Sequence, residues 1–160
     1  MLEKEYQFNL LCDYLDELHA IQGLTPLTYQ MKLGFYAEAR MGPCSKWIDI
    51  CDEQGKVIGF LIVGWKENCH PAAHWFIQDA YIKPEYRKLG YMTRAVSNYV
   101  RENPGVYCLF VLTKNQYAYH FWHKVFEQLG YEHHTLCDVG AGDEHCNQYG
   151  FAPVEKRGEV

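Results

Sequence analysis

Apolar residues near the start of the chain return every three or four positions. Phe8, Leu11, Leu15 and Leu18 form one stripe, with Asp13, Asp16 and Glu17 opposite, which predicts a helix from about Glu5 to Ile21 ending at Gly23. Thr25 as cap and Pro26 in the first turn open a second helix that carries Tyr29, Leu33, Tyr36 and Ala39 until Gly42-Pro43 stops it. The pattern then turns strand-like. Lys46 to Cys51 and Val57 to Val63 read as a hairpin around Asp52-Glu53-Gln54-Gly55, and Gly59 inside the second run marks a bulge or a close approach. A third strand, His74 to Ile82, completes an antiparallel meander and finishes before Pro84, which lacks the amide a ladder needs.

Helical spacing returns with Leu89, Met92, Ala95, Val96, Tyr99 and Val100, and Asn103-Pro104-Gly105 ends it. Val106 to Leu112 is a continuous apolar run of the buried, parallel kind, so the intervening helix makes a right-handed crossover if strands 74–82 and 106–112 pair in parallel. Two strands, Glu132 to Val139 and His145 to Phe151, close the chain around Gly140-Ala141-Gly142-Asp143. The order of elements is that of an α/β protein with a mixed sheet.

Composition narrows the picture. The 160 residues, 48% hydrophobic, suit one domain over 1–153 with a disordered tail over 154–160. A net charge of -5 argues against a nucleic-acid partner and mildly favours a cationic acceptor such as an amine, although a solvated acidic surface is the commoner cause of such a charge. The seven irregularly spaced cysteines, with no signal peptide ahead, point to free or buried thiols in a reducing cytoplasm. No apolar run is long enough to span a bilayer, so no membrane anchor is expected.

The chemistry concentrates at the junction Arg87-Lys88-Leu89-Gly90-Tyr91-Met92. A strand entering a helix through a basic, glycine-containing turn aims free amides and the positive end of the helix dipole at one spot, which suits a phosphate or pyrophosphate. The run from Tyr81 to Gly90, with Pro84 and Arg87 in a Pro-x-x-Arg junction, resembles the acyl-coenzyme A signature of the GNAT N-acetyltransferase superfamily. Asn115-Gln116-Tyr117-Ala118-Tyr119-His120-Phe121-Trp122 is similar to that family's Asn-x-x-Ala-x-x-Phe-Tyr segment, and Leu129-Gly130-Tyr131 to the Gly-Phe that closes it.

The resemblance implies a GNAT acyl-CoA N-acyltransferase fold, a mixed sheet of six to seven strands with about four helices. It implies transfer of an acetyl group from acetyl-CoA to a primary amine of a small molecule or protein, by direct attack in a ternary complex. The strands at 75–82 and 106–112 would splay so that the acyl-pantetheine threads between them. Arg87, Lys88, Leu89, Gly90, Tyr91, Met92 and Thr93 would hold the pyrophosphate. Tyr81 and Ile82 would hold the pantetheine by their backbone, with Asn115 and Tyr119 on its far side. Met92 departs from the family's small residue, and either crowds the pyrophosphate or points into the helix core. Homodimers are frequent in the family, so a second copy is a candidate partner.

The family's thiolate-protonating tyrosine has no direct counterpart. Its position falls on Trp122 counted from the front of the segment and on Phe126 from the back, which leaves Tyr119 as the candidate acid, with His120 and His123 as other donors. For the base, Asp79 and His74 on the signature strand are the candidates, with Glu67 and His70 in the loop before it. A lone acid on a half-buried strand is more often a hydrogen-bonded structural group. His133, His134, Cys137, His145 and Cys146 match no standard zinc spacing, so no metal is expected, and neither Cys69-His70 nor Cys108 carries the marks of a nucleophilic thiol. A non-catalytic GNAT-like module that binds acyl-CoA or a partner is the alternative function, and a longer or aminoacyl donor a further one.

Overall fold

The computed structural model describes residues 2–65, 73–141 and 144–153. It divides into two compact units, Met1–Gly64 with Gln78–Ala95, and Trp65–Ile77 with Val96–Val160.

In the first unit, helix α1 (Leu2–Gln22) carries Glu3 and Glu5 in its first turn, where they oppose the positive end of the dipole. Gly23, at φ 74, ends it, and the Leu24 amide closes back on the His19 carbonyl at 2.9 Å. Helix α2 (Tyr29–Met41) begins later than expected. Thr28, not Thr25, is the cap, its hydroxyl accepting the Met31 amide at 3.3 Å. Thr25 is held otherwise, its carbonyl accepting from His19 Nδ1 at 2.8 Å. Thr28→Ala should therefore cost about 1 kcal/mol, a melting point about 2–4 °C lower by calorimetry, whereas Thr25→Ala should cost less.

Strands β1 (Ser45–Cys51) and β2 (Val57–Trp65) form the expected antiparallel hairpin, with Ile48 opposite Leu61. Asp52 shapes the turn by accepting the Gln54 and Lys56 amides at 3.0 and 2.9 Å. Strand β3 (Trp75–Ile82) lies beside β2, and the Lys83 amide donates to the Ile58 carbonyl at 3.0 Å. Gly59 is the close approach its sequence marked: a Cβ there would stand 2.2 Å from the Tyr81 carbonyl oxygen.

Leu10, Leu11, Leu15, Ala39, Phe60, Ile62 and Tyr81 make the core of this unit. A polar knot sits at its edge: fully buried Gln7 donates to both oxygens of Asp49 at 2.9 and 2.7 Å, and Trp47 Nε1 donates to the same carboxylate at 2.8 Å. Such satisfied bonds make the burial tolerable.

In the second unit the strand order is β3, β4 (Tyr107–Leu112), β6 (Glu144–Pro153) and β5 (Tyr131–Ala141). Helix α3 (Tyr91–Glu102) makes the crossover from β3 to β4, which pair in parallel at Trp75↔Tyr107, Phe76↔Cys108 and Ile77↔Leu109. Among the described residues that ladder ends at Ile77, although β3 runs on to Ile82 and β4 to Leu112. β6 pairs antiparallel with both β4 and β5. Helix α4 (Gln116–Leu129) is capped by Asn115 and closed by Gly130 in the left-handed region at φ 62. Phe126 on α4 packs on Phe151 at 4.9 Å, and Tyr107 stacks on Phe151 at 5.2 Å.

The mixed sheet and four α-helices are thus present, with six strands and no seventh among the described residues. Cys12, Cys44 and Cys51 are free thiols, whereas Cys108 is disulfide-bonded, a departure from the expectation of free or buried thiols. No described helix is long and apolar enough to cross a membrane. The tail over 154–160 and the loop residues Glu67, Cys69 and His70 lie outside the described residues, as do the side chains of His134, Cys137, His145 and Cys146.

Candidate active site

The junction after β3 is built from steric limits. Pro84 to Tyr86 form a 3-10 turn that the sequence pattern did not reveal, and the Arg87 amide closes it on the Pro84 carbonyl at 3.2 Å. Lys88 and Gly90 then both take positive φ, 65 and 84 degrees, with exposed Leu89 between them. Glycine adopts this region at little cost; lysine does so only under local strain, which tends to gather at ligand loops. The first helical bond of α3 runs from the Arg94 amide to the Gly90 carbonyl at 3.0 Å. The amides of Tyr91, Met92 and Thr93 therefore precede any acceptor within the helix, and with the dipole they form an anion-suited end.

The side chains around this loop divide in role. Met92, 7% exposed, points into the core and so leaves the loop open. Arg87 turns inward: Nε donates to the Ile82 carbonyl at 2.9 Å, Nη2 pairs with Glu17 Oε2 at 2.6 Å, and the guanidinium lies 5.6 Å from the Tyr81 ring centre. Lys88 and Arg94 are the exposed cations of the loop. The Tyr91 hydroxyl donates to the Glu53 carboxylate in the β1–β2 turn, which raises its pKa to about 12. Along β3, the Tyr81 carbonyl faces β2 beside Gly59, while that of Ile82 is on the other edge, where Arg87 reaches it.

Asp79, also on β3, has a partner that the sequence did not suggest. Tyr14 on α1 donates to Asp79 Oδ1 at 2.6 Å. Burial raises the Asp79 pKa, the Tyr14 bond opposing it. Tyr14 is itself pushed well up, by burial first and by the Asp79 charge next.

In the second unit, exposed His74 sits at the turn before β4. Its Nδ1 accepts the Val106 amide at 2.9 Å, so that nitrogen is unprotonated, and its own amide donates to the Val106 carbonyl at 2.7 Å. Asn115 spends its side-chain carbonyl on the Ala118 amide at 3.0 Å as the cap of α4. Trp122 and Phe126 are buried residues of α4. Half-buried Tyr119 packs against His123, ring centres 4.4 Å apart, with His120 at 5.3 Å. His123 reaches Tyr149 Oη at 3.4 Å, and its pKa is lowered by burial, then by His133 and His120. No described group of His, Cys, Asp and Glu is arranged to hold a metal ion.

Several solved structures are similar to this one. An acetyltransferase from Thermus thermophilus matches at a TM-score of 0.64 and 13% identity, covering 91% of this chain and 90% of that one. A Corynebacterium glutamicum structure described as histone acetyltransferase HPA2 and related acetyltransferase matches at 0.67 and 10% identity, covering 99% and 95%. A Vibrio cholerae spermidine N-acetyltransferase in complex with CoA and spermine matches at 0.62 and 14% identity, covering 94% and 90%. At these identities the likeness is one of fold. Among curated protein sequences no relative matches the chain. The model of the acetyltransferase (GNAT) family matches residues 9–127, and the chain belongs to that family.

Proposed function

We propose that the chain is an acetyl-CoA-dependent N-acetyltransferase, one transferase domain over 1–153 that acts on a primary amine. The observation that carries this reading is the α3 N-terminus, where the amides of Tyr91, Met92 and Thr93 stand open behind the left-handed Lys88 and Gly90. Those amides, with the exposed Lys88 and Arg94 charges, suit the pyrophosphate. Arg87 acts one step back, fixing the loop through Glu17 and the Ile82 carbonyl. The edge of β3 that carries the Ile82 carbonyl, turned away from β2, is the proposed place of the pantetheine arm.

The bound thioester supplies the activated acyl carbon. Amine nitrogen attacks that carbon, the C–N bond forms and the C–S bond breaks. The surplus proton on nitrogen goes to Asp79, and Tyr119 is the proposed donor to the departing thiolate. Asp79 suits the base better than His74, whose Nδ1 is already engaged by the Val106 amide. The similar structures named for histone and for spermidine point to amines of different size, so the acceptor is proposed as a primary amine and no further.

Calorimetry with acetyl-CoA tests the cofactor site. The native protein is expected to bind in the micromolar range, and Lys88→Glu to bind on the order of ten- to a hundredfold more weakly, since it sets a like charge at the anion loop. Absence of binding to acetyl-CoA and to longer acyl thioesters would sink the enzyme reading in favour of a partner-binding module.

A further inference from the structure

The base proposed above does not stand alone. Tyr14 is held on two sides, edge-on to Phe60 at 5.7 Å and tilted against Tyr81 at 5.9 Å between ring centres. Its hydroxyl is thereby delivered to Asp79 Oδ1 at 2.6 Å. Among the hydrogen bonds of the described residues, Asp79 Oδ1 takes the one from Tyr14 and Oδ2 takes none. The carboxylate thus has one oxygen fastened and one free. One turn further along α1, Glu17 fastens Arg87 at 2.6 Å, so a single face of the helix grips both the base and the cofactor loop.

We propose that Tyr14 is the positioning residue of the acetyltransferase reaction: it anchors Asp79 through Oδ1 and leaves Oδ2 to take the amine proton. This rests on Asp79 being the base. The physical need is plain, because burial pushes the Asp79 pKa up and the Tyr14 bond is what opposes it. Other groups act on the pair from a distance. Glu17 bears on Tyr14, and Asp13, Glu17, Arg87 and Glu85 bear on the neighbouring Tyr81.

The test is a carbon-13 NMR titration of the Asp79 carboxyl in the native protein and in Tyr14→Phe, which keeps the ring and removes only the bond. Loss of a hydrogen bond to a charged group is expected to move the midpoint up by about one to two pH units. The acid limb of kcat, measured with acetyl-CoA and a panel of primary amines including spermidine, should move by the same amount, with KM for acetyl-CoA unchanged. Tyr14→3-fluorotyrosine, which keeps the hydroxyl and makes it a stronger donor, should move both readings down, and it serves if the phenylalanine variant folds poorly. Unmoved titrations overturn the proposal with the base reading intact. Full activity in Asp79→Asn overturns the base reading, and the proposal with it.

Discussion

Gly59→Ala is expected to cost at least about 3 kcal/mol of stability, read as a lower urea midpoint, and to weaken acetyl-CoA binding. The added methyl would sit 2.2 Å from the Tyr81 carbonyl oxygen, 2.7 Å from Ile82 Cδ1 and 3.0 Å from Ile82 Cα. Two of these are backbone atoms that no rotamer change can move, so β2 and β3 must part. The displaced pair, Tyr81 and Ile82, is the stretch proposed to lie along the pantetheine, and Ile82 also accepts from Arg87. Stability and cofactor affinity should therefore fall together. An unchanged urea midpoint would show that the sheet yields elsewhere.

Asp79→Asn separates chemistry from packing. Removing a general base is expected to lower kcat on the order of a hundred- to ten-thousandfold. Stability should move little, and the sign follows from linkage. The Asp79 pKa is raised in the fold, so the native state favours the protonated carboxyl. That contribution is present at low pH and lost as pH rises through the raised value. Once the carboxyl is ionised the buried charge is a burden, and asparagine removes it while its carbonyl can still accept from Tyr14. For the same reason the native acid limb of kcat/KM should lie above the usual carboxylate range. A variant that loses stability and activity in parallel would mark Asp79 as structural.

Local pattern carried much of the fold because each signal has a local cause. Asn115 caps α4 and Gly130 closes it, since a side-chain acceptor and a left-handed residue are needed at those two points. Gly59 announced a close approach, though not the strand it approaches. Thr25 and Thr28 offer the same capping chemistry three residues apart, and tertiary contacts decided between them. Lys88 in the left-handed region has no residue signal at all, because lysine is not chosen for that conformation. Tyr14 and Asp79 are 65 positions apart and Glu17 and Arg87 are 70 apart, so periodicity placed each on its element without pairing them. The Met92 question needed only burial to resolve, and burial is a property of the folded chain.

The grip of α1 on β3 and its loop changes how variation along that helix should be read. Exchanges at positions 14 and 17 look like drift beside the apolar stripe of an amphipathic helix. Yet Tyr14 and Glu17 are bonded to residues far along the sequence, Asp79 and Arg87. In an evolving lineage, a change at 14 would be expected to travel with one at 79, and a change at 17 with one at 87. Two short-range pairs in space would then appear as long-range covariation along the chain.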